Sequence, residues 1–107
     1  MEVIICSDEQ AVGRIAADRI AKVLGRAKAP VLGVATGSTP LTTYSSLAAL
    51  AAEGKADFTD LRAFALDEYI GLPADDERSY AATIRHTVTE QLGLDPANLH
   101  PPDGIAE

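Results

Sequence analysis

The chain has 107 residues, enough for one small domain that buries roughly two-thirds of its unfolded surface. Apolar residues make up 47% of it, yet no apolar run approaches the ~20 residues of a membrane span. The formal net charge is −7 and no cluster of Lys or Arg occurs, so neither a membrane nor a nucleic acid is an expected partner. A small anion remains a suitable ligand, because the N-terminus of a helix supplies local positive potential even in an acidic protein.

The first six residues carry no basic flank and are too short for a secretory signal. Cys6 is the only cysteine, which excludes an internal disulfide and suits a reducing compartment. Its place in the apolar run 3–6 favours a small buried side chain over a reactive thiol. These features predict a cytoplasmic protein.

The elements in the first third of the chain are a strand, a helix and a second strand. Residues 3–6 predict a short strand, and Ser7 with Gln10 three residues later has the spacing of a capping box. Apolar residues then recur at helical spacing and predict a helix of roughly five turns that stops before Pro30. The continuous apolar run 31–35 is typical of a central parallel strand covered on both faces.

A second helix is predicted to run to about residue 53, with Thr39 as its N-cap, Pro40 at the first helical position and Gly54 as the stop. Residues 61–66 predict the third strand, and a polar loop follows it. Ser79 is then expected to cap a third helix that ends at Gly93. The apolar stripe of that helix consists of Tyr80, Ile84, Val88 and Leu92.

Strands that alternate with helices predict an α/β fold, a three-layer Rossmann-like parallel sheet flanked by helices, in a single partial domain over residues 1–107. Ligands of such sheets bind at the carboxyl ends of the strands. Two polar motifs, residues 36–39 and residues 67–69, follow predicted strands directly. Both are therefore expected at the same edge of the sheet.

The first motif, residues 36–39, combines a glycine with three hydroxyl side chains. Gly37 allows a positive φ and close backbone approach, while Ser38 and Thr39 add donors beside the unpaired N–H groups of the next helix. Such a turn can hold a phosphate, with Thr36 in support. An ordinary helix-capping turn is the alternative, because the spacing of a P-loop is absent.

The second motif follows the third predicted strand. Side chains alternate along a strand, so Asp67 and Glu68 are expected to point in opposite directions. Asp67 is then a candidate for proton transfer in the cleft, and burial would have to raise its pKa from the ordinary value of ~3.9. A solvated acidic turn is the structural alternative.

Taken together, three blocks resemble the glucosamine-6-phosphate deaminase family: LGVATGSTPLTTY at 32–44, LDEYIGLP at 66–73, and Ser79-Tyr80. The segment PANL at 96–99 also fits the N-terminal part of that family. The resemblance implies conversion of glucosamine 6-phosphate and water to fructose 6-phosphate and ammonia, a step of amino-sugar catabolism that needs no cofactor or metal. It assigns phosphate binding to residues 37–39, the base to Asp67 and a supporting role to Glu68.

One departure is large, since members of the family are more than twice as long as this chain. Their ring-opening histidine, its acidic partners and the basic residues at the phosphate lie in the second half. His86, expected to be exposed, and His100, expected in a Pro-rich loop, match no such residue. The resemblance therefore implies a truncated N-terminal part, inactive alone, whose exposed sheet edge favours a homo-oligomer.

Two alternatives stay open. A 6-phosphogluconolactonase has a similar phosphate loop, but its segment typically reads Asp-Glu-Arg where this chain has Asp67-Glu68-Tyr69, and Ser-Asn where it has Ser79-Tyr80. A non-catalytic sugar-phosphate sensor is the second alternative, supported by the missing half of the active site.

Overall fold

The computed structural model describes residues 1–106, and its sheet has three parallel strands in the order β1-β2-β3. The strands are β1 (Val31–Val34), β2 (Arg62–Ala65) and β3 (Leu99–His100). The two long helices are α1 (Glu9–Arg26) and α2 (Leu41–Ala52). The last helix, called α3 here, begins as Tyr80–Ile84, passes through a π-helical turn at Arg85–Thr89 and ends as Glu90–Leu92; a 3₁₀ turn, Pro96–Asn98, precedes β3.

The register of the sheet determines where the loops lie. Val34 pairs with Ala65, and Phe64 pairs with His100, all in parallel ladders. The chain therefore leaves the three strands at one common edge, which is the carboxyl edge of the sheet.

The two faces of the sheet differ in burial. On one face, inward side chains join a core cluster with residues of all three helices; these strand residues are Leu32, Val34, Ala63, Ala65 and Leu99. On the other face Val31 is 46% and Phe64 41% exposed. The described residues thus form a helical layer and a sheet, with the second face of the sheet uncovered. The expectation that β1 is central and covered on both faces was wrong, because β1 lies at the edge of this sheet.

The helices α1 and α2 pack very closely at one point. A Cβ added to Gly13 would lie 2.6 Å from the backbone carbonyl atoms of Thr42. Real Cβ atoms do not approach backbone so closely, so only glycine allows this crossing. The contact brings α1 against the first turn of α2.

The N-terminal strand predicted for residues 3–6 does not form. These residues have no regular structure and pair with no described strand, and Val3 and Ile5 are 73% and 94% exposed. A β-strand needs a neighbour to accept its backbone hydrogen bonds, and apolar composition alone does not supply one. Cys6 is accordingly half-buried and not a core residue.

Two predicted helix caps shift by one residue. The N-cap of α1 is Asp8, whose side chain accepts the N–H of Ala11 at 2.8 Å, and not Ser7. The N-cap of α2 is Pro40, and no described side chain caps that helix, so Thr39 does not cap it. The cap at Ser79 and the stop at Gly93, whose φ is +73°, are confirmed. No helix within residues 1–106 is long and apolar enough to cross a membrane.

Candidate functional site

Three loops meet at the carboxyl edge of the sheet. They follow β1 at residues 35–40, β2 at residues 66–72 and β3 at residues 101–104. The predicted residues Thr36, Gly37, Ser38, Thr39, Asp67 and Glu68 belong to the first two of these loops. The register therefore brings both predicted motifs to one edge, and it adds a third loop that the sequence did not suggest.

The turn after β1 has the backbone that an anion cradle requires. Gly37 has a φ of +94°, in the left-handed region, and the side chains of Ser38 and Thr39 are exposed. Neither hydroxyl bonds another described residue, and Thr36 is half-buried behind them. No described side chain caps α2, so the positive end of its dipole faces this turn.

Tyr44 anchors the start of this turn. Its hydroxyl accepts the N–H of Ala35 and donates to the carbonyl of the same residue, both at 2.9 Å. The ring is 6% exposed, and burial raises the pKa of the phenol, although the bond to Ala35 opposes that shift. A side chain of α2 thus holds the last residue before Thr36 in place. The sequence showed Tyr44 only as a member of an apolar helical stripe.

A shallow cavity of about 240 Å³ lies beside the turn. It is lined by Glu9, Val12, Ser38, Thr39 and Thr42, so the start of α1 forms its far wall. The carboxylate of Glu9 is the acidic group of this lining, and the hydroxyl groups of the other side supply hydrogen-bond donors. Asp67 is not among the residues that line this cavity.

The loop after β2 separates its two carboxylates. Asp67 is exposed at the edge of the sheet, whereas Glu68 is half-buried. The Oε1 atom of Glu68 accepts the N–H of Tyr80 at 2.8 Å, and Oε2 accepts the N–H of Ala81 at 2.9 Å. Oε1 also accepts the N–H of Tyr69 at 2.9 Å. In the structure Glu68 thus bonds backbone groups of its own loop and of α3.

All four N–H groups at the N-terminus of α3 are bonded within the protein. Glu68 accepts those of Tyr80 and Ala81, the Ser79 hydroxyl accepts that of Ala82 at 3.1 Å, and the carbonyl of Asp76 accepts that of Ser79 at 2.9 Å. A helix N-terminus normally leaves these four donors unpaired. The N-terminus of α3 is therefore closed to an external anion. At the N-terminus of α2, Pro40 has no N–H and that of Leu41 donates to the carbonyl of Ser38 at 3.3 Å, so among the described residues the N–H groups of Thr42 and Thr43 remain open to a ligand.

The bonds to α3 also act on the charge of Glu68. Burial raises the pKa of this carboxyl, but the N–H groups of Tyr80, Ala81 and Tyr69 together outweigh burial and hold the pKa below its usual value. Glu68 therefore stays ionised at neutral pH and neutralises the helix terminus. An ionised, fully bonded carboxylate is a poor proton donor, which leaves Asp67 as the carboxylate with a free face in this loop.

The loop after β3 contacts the loop after β2. The N–H of Gly71 donates to the carbonyl of Gly104 at 2.7 Å. A Cβ added to Gly104 would lie 2.7 Å from the carbonyl oxygen of Leu72 and 3.2 Å from Cγ of Glu68. Position 104 therefore requires glycine, because the loop after β2 passes too close to leave space for a side chain. Nothing in the sequence pattern indicated this contact.

The two histidines lie outside this site. His86 is 50% exposed on α3, as predicted, with Nε2 3.1 Å from Glu77 and Nδ1 3.3 Å from Glu90. His100 is not in a loop, because it belongs to β3, where its ring stacks on Phe64 with centroids 4.8 Å apart. That stack lies on the uncovered face of the sheet, since Phe64 and His100 are register partners.

The fold places the chain among parallel α/β proteins with a Rossmann-like sheet, and solved structures agree. It superimposes with a TM-score of 0.92 on a monomeric glucosamine-6-phosphate deaminase at 32% identity, over 100% of this chain and 44% of that one. It also matches a 6-phosphogluconolactonase from Thermotoga maritima with a TM-score of 0.72 at 20% identity, over 99% of this chain and 46% of that one, which shows the fold alone.

Residues 7–107 match the family described as glucosamine-6-phosphate isomerases/6-phosphogluconolactonase, and the chain belongs to that family. It is similar to the Cutibacterium acnes protein named glucosamine-6-phosphate deaminase, at 96% identity over 107 residues, which is 100% of this chain and 41% of the relative. The Streptomyces avermitilis protein of the same name is 47% identical over 107 residues, again 41% of its length. The chain therefore spans about two-fifths of the curated relatives and corresponds to their N-terminal part.

Proposed function

We propose that this chain is the part of a glucosamine-6-phosphate deaminase that binds the sugar phosphate and supplies the carbon base. The full-length protein would convert glucosamine 6-phosphate and water to fructose 6-phosphate and ammonia. The observation that carries the proposal is the open N-terminus of α2, which faces the turn 36–39 at the edge where Asp67 lies. The names of the curated relatives support the same substrate.

The phosphate is assigned to the turn after β1. Backbone N–H groups of the first turn of α2 and the hydroxyls of Ser38 and Thr39 would donate to its oxygens, with Gly37 giving close access. Each charge-assisted hydrogen bond contributes about 1.5–3 kcal/mol before association costs of several kcal/mol. Binding by these residues alone would therefore be millimolar or weaker.

The base is assigned to Asp67, which would move a proton between carbon 2 and carbon 1 of the opened sugar. Its exposure in the described residues means that the remaining three-fifths of the domain would have to bury it. Thr36 and Glu68 act in support. The proposed reaction uses no metal or organic cofactor. The proposal includes a cytoplasmic location, because a single cysteine suits a reducing compartment.

Lactone hydrolysis is the second candidate, since the family description includes 6-phosphogluconolactonase. The pair Tyr69 and Tyr80 favours the deaminase, because these are the two positions at which the lactonase pattern differs. Their rings pack with centroids 4.5 Å apart, so the two positions form one contact.

The experiment uses the full-length Cutibacterium acnes relative with residues 1–107 of this chain in place of the matching segment. Release of ammonia from glucosamine 6-phosphate is expected, with loss of at least 100-fold in kcat for Asp67→Asn, within the usual range for removal of a general base. Lactone hydrolysis without ammonia would overturn the proposal. Ser45→Ala, an exposed position on the same helix beyond its first turn, serves as a control that retains activity.

A further inference from the structure

We infer that Glu68 and Gly104 are positioning residues that hold the Asp67 loop in its working geometry through contacts with two different segments. The inference rests on the proposed role of Asp67 as the base. It begins with the loop itself: residues 66–72 contain the exposed side chains Leu66, Asp67, Tyr69 and Ile70, so little burial holds them. The conformation of such a loop depends on a few specific bonds.

The first tie joins the loop to α3. Glu68 bonds three backbone N–H groups at 2.8–2.9 Å, two of them in the first turn of a helix whose inward face is fully buried. The neighbouring residue Tyr69 packs its ring on Tyr80. The residue that follows Asp67 is thereby bonded to a rigid element, which restrains the backbone next to Asp67.

The second tie joins the loop to the segment after β3. Gly71 donates to the carbonyl of Gly104, and the backbone of the loop passes so close to Gly104 that a side chain has no space there. Cγ of Glu68 forms part of the same contact surface, 3.2 Å from the position of an added Cβ. Gly104 thus limits movement of the loop away from α3.

The contacts of Glu68 and Gly104 affect the position of the base, whereas the turn 36–39 binds the phosphate. The turn 36–39 belongs to β1 and α2, and none of its residues bonds Glu68 or Gly104 among the described residues. Weakening either tie should misplace the base while leaving the phosphate contacts intact. A displacement of about 1 Å at a reacting group costs on the order of 100-fold in rate.

The test uses the same full-length hybrid with Glu68→Gln and Gly104→Ala. Glu68→Gln replaces an acceptor oxygen by an amide that repels an N–H donor, and Gly104→Ala places a Cβ against the carbonyl oxygen of Leu72. Each is expected to lower kcat about 10- to 100-fold with KM changed less than threefold. Gly25→Ala is the control, since a Cβ there meets nothing within 4 Å, and it should leave kcat unchanged.

The outcomes separate this inference from the proposed function. If Asp67→Asn abolishes activity while Glu68→Gln and Gly104→Ala keep kcat within twofold, the positioning roles are wrong and the base stands. If Asp67→Asn keeps full activity, the proposed function is wrong. A rise in KM equal to the loss in kcat would also refute positioning, because it would indicate general loss of the folded site. Faster hydrogen exchange at the amides of Tyr80 and Ala81 in Glu68→Gln is the accompanying structural readout.

Discussion

Replacement of Tyr44 by Phe tests whether one hydroxyl holds the end of β1 against α2. The change removes two hydrogen bonds of 2.9 Å and leaves the N–H and carbonyl of Ala35 without a partner beside a side chain that is 6% exposed. Loss of one hydrogen bond costs a net ~1 kcal/mol, and a buried polar group left without a partner adds to this cost. We therefore expect the free energy of unfolding to fall by ~2 kcal/mol. For a domain of 107 residues this corresponds to a Tm lower by roughly 8–10 °C.

The measurement is thermal unfolding followed by circular dichroism, with urea unfolding to obtain the free energy. Tyr69→Phe is the matched control, because that residue is 51% exposed and water can replace any partner of its hydroxyl; its cost should stay below ~0.5 kcal/mol. A cost below ~0.5 kcal/mol for Tyr44→Phe as well would refute the reasoning, since it would mean that water already satisfies Ala35.

Three further predictions concern packing and charge. Gly13→Ala should destabilise the fold by about 1–3 kcal/mol in urea unfolding, because its Cβ collides with the α2 backbone, whereas Gly25→Ala on the same helix should be neutral or stabilising. The pKa of Asp76 is lowered to about 2, chiefly by its hydrogen bonds to Arg78. Its contribution to stability should be complete above pH 3.8 and disappear as the pH falls toward 2; a midpoint near 4 in an NMR titration would contradict this. Hydrogen bonds to two carboxylates raise the pKa of His86, so its contribution should be present below 6.5 and disappear as the pH rises above that value; His86→Gln should remove this slope from the stability profile.

Helices, strands and caps could be predicted well from the sequence where they depend on residues close together along the chain. The strands 31–35 and 61–66 were predicted within about one residue at each end, and Ser79 caps its helix because a hydroxyl next to a helical run bonds N–H groups of its own segment. The strand predicted at residues 3–6 was wrong, because a strand forms only where a second strand elsewhere in the chain pairs with it. The loop predicted at His100 was wrong for the converse reason, since β2 supplies a strand partner to the two residues that precede Pro101.

The candidate site divides in the same way. The residues of the turn 36–39 and the carboxylate at 67 are recognisable because each belongs to a contiguous motif. The bonds of Glu68 to Tyr80 and Ala81 could not be predicted, because they join residues twelve and thirteen positions apart. Gly104 gave no signal at all, because the atoms that exclude a side chain there belong to residues 68–72. Contacts made across the fold are the part that a single sequence does not reveal.

The close crossing of α1 over α2 has a consequence for how an anion is received. At Gly13 the first helix contacts Thr42, while Tyr44 of the same turn of α2 bonds Ala35, the residue that follows β1. The peptide dipoles at this terminus are therefore oriented before any ligand arrives. A phosphate entering there finds a preorganised field and pays little reorganisation energy, which is the condition under which fixed dipoles bind charge more effectively than water does.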